Sequence, residues 1–266
     1  MEILILPTAA HAERLAARIV ADRLKAKPDL VLGCATGRTM EGIYTELVRI
    51  SKAEKLDYSA AHTFNLDEYV GLHPADPRSY HHYMEEKLFA HVNLPRDQTH
   101  LPNGVATDLA AEAASYERRI KAAGGIDLQL LGLGNTGHIG FNEPLSSLMS
   151  RTREKALTPQ TREQNAGMFG GDATKVPPRA LTMGVGTILE AKEVIMVVTG
   201  ASKAQVLATA TEGPITSMIS ATALQLHPRC HVLTDEAAAE KLTGREHYRW
   251  TFHNEPDWAQ YQDLLA

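Results

Sequence analysis

The chain of 266 residues carries only two cysteines, Cys34 and Cys230. Neither stands in a Cys-x-x-Cys pair, so no disulfide framework and no thiolate zinc site is expected. No apolar run reaches the ~18 residues of a membrane helix. Basic residues are not in excess. The formal charge of -5 argues against a general nucleic-acid surface, though not against a phosphate pocket, which needs only a few local donors. The opening Met-Glu-Ile-Leu-Ile-Leu-Pro lacks the basic stretch and the length of a secretory signal. The histidines, among them His11, His62, His73, His81, His82, His91 and His100, show no His-Glu-x-x-His or comparable spacing. They are read as mostly surface residues, and no metal is expected. No internal repeat or low-complexity tract is present. The absences leave a soluble, cytoplasmic chain with a small-molecule partner, and no nucleic acid or membrane.

At 44% hydrophobic and 22% charged, the chain can bury a sizeable core. Its length suits one large domain or two small ones, and it is read as one, 1–266. Apolar runs at 2–6, 30–35, 61–66, 127–133, 193–199 and 230–234 read as strands. Stretches 9–25, 40–52, 79–92, 109–122 and 203–211 read as helices. Strand followed by helix, repeated, implies an α/β fold with a mostly parallel sheet covered on both faces. One stretch, 145–178, breaks the rhythm. It is polar and without period, as lids and binding loops often are. The tail, about 243–266, carries Tyr248, Trp250, Phe252, Trp258 and Tyr261, too many rings for disorder. It is expected to pack on the body or on another subunit.

Ligands of open α/β sheets bind beyond the carboxyl ends of the strands. Three such ends carry chemistry. After the run at 30–35 come Thr36, Gly37, Arg38 and Thr39. Thr39 is placed to cap the next helix. The turn reads either as an anion site with Arg38 as a bidentate donor, or as an ordinary turn with a solvated arginine. After 61–66 come Asp67 and Glu68. In extended geometry they point to opposite faces, so only one enters a given pocket. That one is a candidate base for a proton beside a carbonyl, against the plainer reading of a polar loop. After 127–133 comes a glycine-rich loop that holds Thr136, His138 and Glu143. Gly132, Gly134 and Gly137 formally satisfy Gly-x-Gly-x-x-Gly, but Gly140 and Pro144 argue against the helix a dinucleotide site requires. A histidine oriented by a carboxylate is instead a candidate proton shuttle.

Two segments together, Asn65-Leu66-Asp67-Glu68-Tyr69-Val70-Gly71-Leu72 and Gly137-His138-Ile139-Gly140-Phe141-Asn142-Glu143-Pro144, resemble the glucosamine-6-phosphate deaminase family. The resemblance continues through Ser146 to Arg153, Leu181 to Leu189 and Ala223 to Pro228, and so spans nearly the whole chain in order. It implies a modified Rossmann-like three-layer fold with a lid at about 157–180. It implies conversion of glucosamine 6-phosphate and water to fructose 6-phosphate and ammonia, in amino-sugar catabolism, without a cofactor. By resemblance, Asp67 moves the C2 proton and His138 opens the sugar ring with help from Glu143. Thr36, Gly37, Arg38, Thr39, Gly134 and Lys203 correspond to substrate and phosphate contacts. Some relatives are homo-oligomers, up to hexamers, activated by N-acetylglucosamine 6-phosphate. The matching positions are Ser146, Ser147, Arg153, Lys155 and Tyr248, with Ala156 replacing a family threonine.

Three positions depart from the pattern. Thr136 stands where relatives usually carry an aspartate partnered with the ring-opening histidine. The phosphate turn reads Thr36-Gly37-Arg38-Thr39-Met40 instead of the usual Thr-Gly-(Gly/Ser)-Thr-Pro. Gly167 stands where the lid often brings an arginine to the phosphate. Arg38 is expected to supply the guanidinium the lid lacks. Competing functions are action on another sugar phosphate, such as galactosamine 6-phosphate or a phosphogluconolactone, and sensing without catalysis.

Overall fold

The computed structural model describes residues 1–265. In chain order the strands are β1 (Glu2–Leu6), β2 (Val31–Cys34), β3 (His62–Asn65), β4 (Asp67–Tyr69), β5 (Thr99–His100), β6 (Leu128–Gly132), β7 (Arg153–Ala156), β8 (Arg179–Thr182), β9 (Glu193–Val198) and β10 (Cys230–Asp235). The helices are α1 (Ala9–Ala26), α2 (Arg38–Glu54), α3 (Tyr80–Lys87), α4 (Leu109–Ala122), α5 (Pro159–Asn165), α6 (Val185–Leu189), α7 (Ala204–Glu212) and α8 (Arg245–Asn254).

Seven strands form one parallel sheet in the order β1-β10-β9-β6-β2-β3-β5. The central strands are buried along almost their whole length, which is why they read as unbroken apolar runs. From β2 the chain steps outward through β3 to β5. It then returns to the other side of β2 as β6 and runs outward through β9 to β10, beside β1. The direction reverses at β2 and β6. The loops after β3, β2, β6 and β9 therefore emerge side by side at the switch point, where such sheets bind ligands.

Local chemistry sets the helix starts. The Thr8 hydroxyl accepts from the His11 N–H at the start of α1, and Asp108 accepts from the Ala111 N–H at the start of α4. α1 packs beside α2 and along β9 and β10, burying Leu15, Ile19 and Leu24. Each such side chain contributes roughly 1.5–3 kcal/mol of burial.

The structure differs from the sequence reading in several places. The helix read over 79–92 ends at Lys87, and a short 3-10 turn, Phe89–His91, follows. The stretch 145–178 is not irregular throughout, because it contains β7 and α5. Asp67 and Glu68 lie not in a loop but in β4, which pairs antiparallel with β8, and β8 with β7, as a second, three-stranded sheet. Three- and four-residue strands carry too short an alternation to stand out from a polar loop.

The tail packs on the body. Phe252, Trp258 and Tyr261 are buried, α8 lies against β1, and the Trp258 indole N–H donates to Glu2 Oε2 at 3.2 Å. Trp250 stays exposed, and Ala266 lies outside the described residues.

Candidate active site

β4 separates the two neighbouring carboxylates, as extended geometry requires. Glu68 turns into the body. It accepts from the N–H groups of Tyr69 (2.8 Å), Tyr80 (3.1 Å) and His81 (3.0 Å) and faces His81 Nδ1 at 2.8 Å. It thereby satisfies the start of α3. Asp67 turns the other way, where no hydrogen bond from a described residue meets its carboxyl group. Burial, and then the charge of Glu68, push its pKa up to about 8.

The glycine-rich loop passes over Asp67. The Gly134 N–H donates to the His138 carbonyl and the Gly137 N–H to the Gly134 carbonyl, both at 2.9 Å, so the chain turns back sharply and no helix follows. The imidazole of His138 lies against Gly134, where a Cβ atom would sit 2.2 Å from Nε2. At Gly140 (φ 54°) a Cβ atom would stand 3.5 Å from Asp67 Oδ2 and 3.0 Å from Thr182 Oγ1. The loop is tied down along its length. The Phe141 N–H donates to Thr182 Oγ1 (3.0 Å) and the Ile139 N–H to Ser220 Oγ (3.2 Å). Asn142 donates to the Ile139 and Met183 carbonyls.

His138 Nδ1 lies 2.7 Å from Thr136 Oγ1 and 4.0 Å from Glu143 Oε2. Threonine, not the glutamate, is its direct partner. Burial lowers the imidazole pKa, the Glu143 charge pulls it up, and Lys203 pushes it down. Glu143 Oε1 accepts from the N–H (3.0 Å) and hydroxyl (3.2 Å) of Thr158, while Oε2 is buried without a partner among the described residues.

The other end of the site is cationic. α2 begins at Gly37 (φ 116°), with no side chain capping it. Thr39, expected as the cap, falls inside the first turn because glycine occupies the cap position. The first N–H groups of α2 are thus open to an anion. Arg38 is exposed. Lys203, beyond β9, donates to the Leu133 carbonyl at 2.7 Å and to Asn135 Oδ1. Burial, and then the Arg38 charge, bring its pKa down to about 8. Thr36, half-buried, sits at the mouth of the same turn.

The expected effector residues are spread over the loop after β6, β7 and α8. Ser146 is buried with an unpartnered hydroxyl, Ser147 is exposed, and Lys155 lies half-exposed on β7. Arg153 donates to Asn142 Oδ1 at 2.8 Å. Tyr248 is elsewhere, on α8, donating to Glu212 Oε1 at 2.8 Å. Five of the histidines read as surface residues, His11, His62, His81, His82 and His100, are partly buried instead, and His62 and His100 stack with centroids 5.9 Å apart because β3 and β5 are paired at the sheet edge. Among the described residues no cluster of His, Cys, Asp or Glu has metal-holding geometry.

The segment 157–180 bridges β7 and β8 as α5 and two 3-10 turns, Ala166–Phe169 and Ala173–Lys175. Phe169 packs edge-on against Tyr69 at 5.5 Å, and Gly167 is exposed with open space around it. Gln164 Oε1 accepts from the Asn135 N–H at 3.0 Å. Sequence reasoning missed Thr158, Gln164 and Asn135. The available signal was Thr158-Pro159, a capping residue followed by proline at the first helical position.

The model of the glucosamine-6-phosphate isomerases/6-phosphogluconolactonase family matches residues 7–232. The chain belongs to this family. An Arthrobacter sp. (strain FB24) member named glucosamine-6-phosphate deaminase is 47% identical over 258 residues, covering 97% of this chain and 99% of that protein. A Shewanella woodyi member of the same name is 45% identical over 266 residues, covering 100% and 98%. A solved structure of a monomeric glucosamine-6-phosphate deaminase superposes with a TM-score of 0.88 at 44% identity, covering 91% of this chain and 100% of that one. The Trypanosoma cruzi 6-phosphogluconolactonase, at 21% identity and a TM-score of 0.71, shares the fold. The seven-stranded parallel sheet is accordingly the Rossmann-like sheet of this family.

Proposed function

We propose that this family member converts glucosamine 6-phosphate and water to fructose 6-phosphate and ammonia. The observation that carries the reading is the carboxyl group of Asp67, buried, unpartnered and beside the glycine-rich loop. Relatives of that name at near-complete coverage support it.

His138 begins the reaction. Its lowered pKa keeps the imidazole neutral near pH 7, able to take the proton of the anomeric hydroxyl and return one to the ring oxygen. The open chain has an aldehyde at C1 and an ammonium group on C2. That cation beside Asp67 favours the carboxylate form of an acid whose pKa is about 8 in the empty site. The carboxylate takes the C2 proton and delivers it to C1. As it takes that proton, an ammonium proton passes to O1, so the C2–H pair forms the C1=C2 bond of a neutral enolamine and the carbonyl pair becomes the O1–H bond. When the proton returns, the C1=C2 pair becomes the new C1–H bond and the nitrogen lone pair closes onto C2. Nitrogen is left as an iminium on C2. Water adds to C2 and ammonia leaves. The phosphate sits at the start of α2, with Arg38 and Lys203 supplying charge and Thr36, Gly37 and Thr39 shaping the turn.

The test is release of ammonia and fructose 6-phosphate from glucosamine 6-phosphate, with galactosamine 6-phosphate and 6-phosphogluconolactone in parallel. Equimolar products from the first substrate, and a loss of at least about a hundredfold in Asp67→Asn, are expected. Activity on the lactone alone, or an Asp67→Asn variant of full activity, overturns the proposal. Cytoplasmic residence belongs to the same reading, consistent with two free, buried cysteines. So does self-association, for which exposed Leu145 and Met149 offer apolar surface. The structural relative described as monomeric weighs against it, and sedimentation velocity decides.

A further inference from the structure

We infer that Thr158, at the start of the segment over the site, is a positioning residue for Glu143, so that the seating of this segment is read directly by the ring-opening pair. The inference rests on the deaminase reading given above.

The geometry makes Glu143 a divided side chain. One oxygen, Oε2, faces His138 Nδ1 at 4.0 Å and has no hydrogen-bond partner among the described residues. The other, Oε1, is held by Thr158 alone, through the N–H at 3.0 Å and the hydroxyl at 3.2 Å. The hydroxyl has a single proton and also stands 3.1 Å from Thr161 Oγ1, so the N–H is the undivided bond. Nothing else among the described residues fixes the angle at which the carboxylate meets the imidazole. Thr158 is also the cap of α5, its hydroxyl accepting from the Thr161 N–H at 3.2 Å. The far end of α5 grips the same loop, where Gln164 accepts from the Asn135 N–H at 3.0 Å. Asn135 in turn accepts from Lys203. One seven-residue helix is therefore tied at its start to the carboxylate facing His138 and at its end to the residue holding the lysine. Lifting α5 releases both. Seating it restores both, so the ring-opening pair is assembled only when the segment is down.

Thr158 has φ -67° and ψ 155°, which a proline accepts without strain. Thr158→Pro deletes both donors to Glu143 and leaves the backbone angles in place. Thr158→Ala deletes the hydroxyl only, and Thr158→Ser keeps both donors. Steady-state kinetics on glucosamine 6-phosphate are measured for these variants in the wild-type and Glu143→Gln backgrounds. Thr158→Pro is expected to lower kcat about tenfold with KM changed less than about threefold, Thr158→Ala to fall between, and Thr158→Ser to restore the wild-type value. In Glu143→Gln the proline substitution is expected to cost nothing further, because the residue acts through the carboxylate already neutralised. Additive losses, or a Thr158→Pro enzyme within twofold of wild type, overturn the inference. Histidine NMR titration of the full chain supplies a readout independent of turnover. The charged groups facing the imidazole are Glu143, which raises its pKa, and Lys203, which lowers it. Loss of the Glu143 hold is therefore expected to move the His138 titration downward in Thr158→Pro, and in Thr158→Ala should the proline variant not fold. An unmoved titration overturns the inference, whereas a wild-type enzyme that releases no ammonia but shows the shift overturns the deaminase reading alone.

Discussion

Thr136 Oγ1 lies 2.7 Å from His138 Nδ1, while the carboxylate of Glu143 stands 4.0 Å from the same nitrogen. A hydroxyl orients the imidazole but brings no charge to it. With burial the leading influence, the imidazole pKa sits below its ordinary value. Thr136→Asp places a carboxylate where the hydroxyl is and raises the pKa. The acid limb of kcat is expected to move to higher pH. Turnover at pH 7.5 is expected to rise about threefold or more, because the imidazole becomes a better acceptor for the anomeric proton. Parallel pH–rate profiles check both. Unchanged turnover with intact binding would point away from ring opening by His138.

Asp67 ties activity to a loss of stability. Its pKa is raised to about 8 in the folded chain, far above the unfolded value. Folding then favours the protonated form. The group's stabilising contribution is complete below about pH 4 and is lost as pH rises through 8. Asp67→Asn removes that loss without changing shape. The variant is expected to be more stable than wild type at pH 8.5, by at least about 1 kcal/mol or some 2–4 °C in Tm, and to match it at pH 4. Thermal denaturation at the two pH values checks the sign.

Glu68, one residue on, is expected to behave in the opposite way. Its carboxylate satisfies the backbone N–H groups of Tyr80 and His81 at the start of α3 and of Tyr69 in β4. Glu68→Ala strands them in a buried environment and should cost about 3 kcal/mol or more, with Glu68→Gln milder. Urea titration of the two variants at pH 7 provides the check. Equal stability of Glu68→Ala and wild type would remove the capping role.

The two carboxylates also mark what was legible in the sequence. Alternation along an extended chain was enough to say that only one enters the pocket, and β4 separates them in that way. The apolar strand runs were legible because a parallel sheet buries both faces, and their ends located Asp67 and His138, whereas Lys203 came only from the family resemblance. The small antiparallel sheet was not, since Arg153-Glu154-Lys155-Ala156 is a polar, half-exposed strand whose partners lie far along the chain. The hold of Thr158 on Glu143 was hidden for the same reason. A contact over 15 positions between a loop and a helix cap leaves no periodic trace.

Gly134 is required by His138 and not by its own backbone. It is not among the positive-φ residues, so alanine costs no backbone strain there. The added Cβ atom would stand 2.2 Å from His138 Nε2 and must displace the ring. Gly134→Ala is expected to lower kcat about a hundredfold while Tm changes little, because the clash falls on a side chain and not on the sheet. Kinetics beside calorimetry check this. A large fall in Tm would show that the loop itself, and not the imidazole, is what gives way.

Arg38 carries the cationic end of the site into solution. Exposed at the open start of α2, it lies close enough to Lys203 to lower the lysine pKa, which burial and this charge together bring to about 8. Two cations held near each other without a carboxylate between them are poised for an anion. Arg38→Ala is expected to weaken fructose 6-phosphate binding about tenfold, less at high salt, with Arg38→Lys recovering part of the loss. The pH dependence gives a second, independent sign. Wild-type binding should weaken above pH 8 as Lys203 loses its proton. In Arg38→Ala that loss should begin at higher pH, because a cause of the lowered pKa has gone. Calorimetric Kd values from pH 6.5 to 9.5 test both at once. A Kd unaltered by Arg38→Ala would mean that the lysine and the helix start hold the phosphate alone.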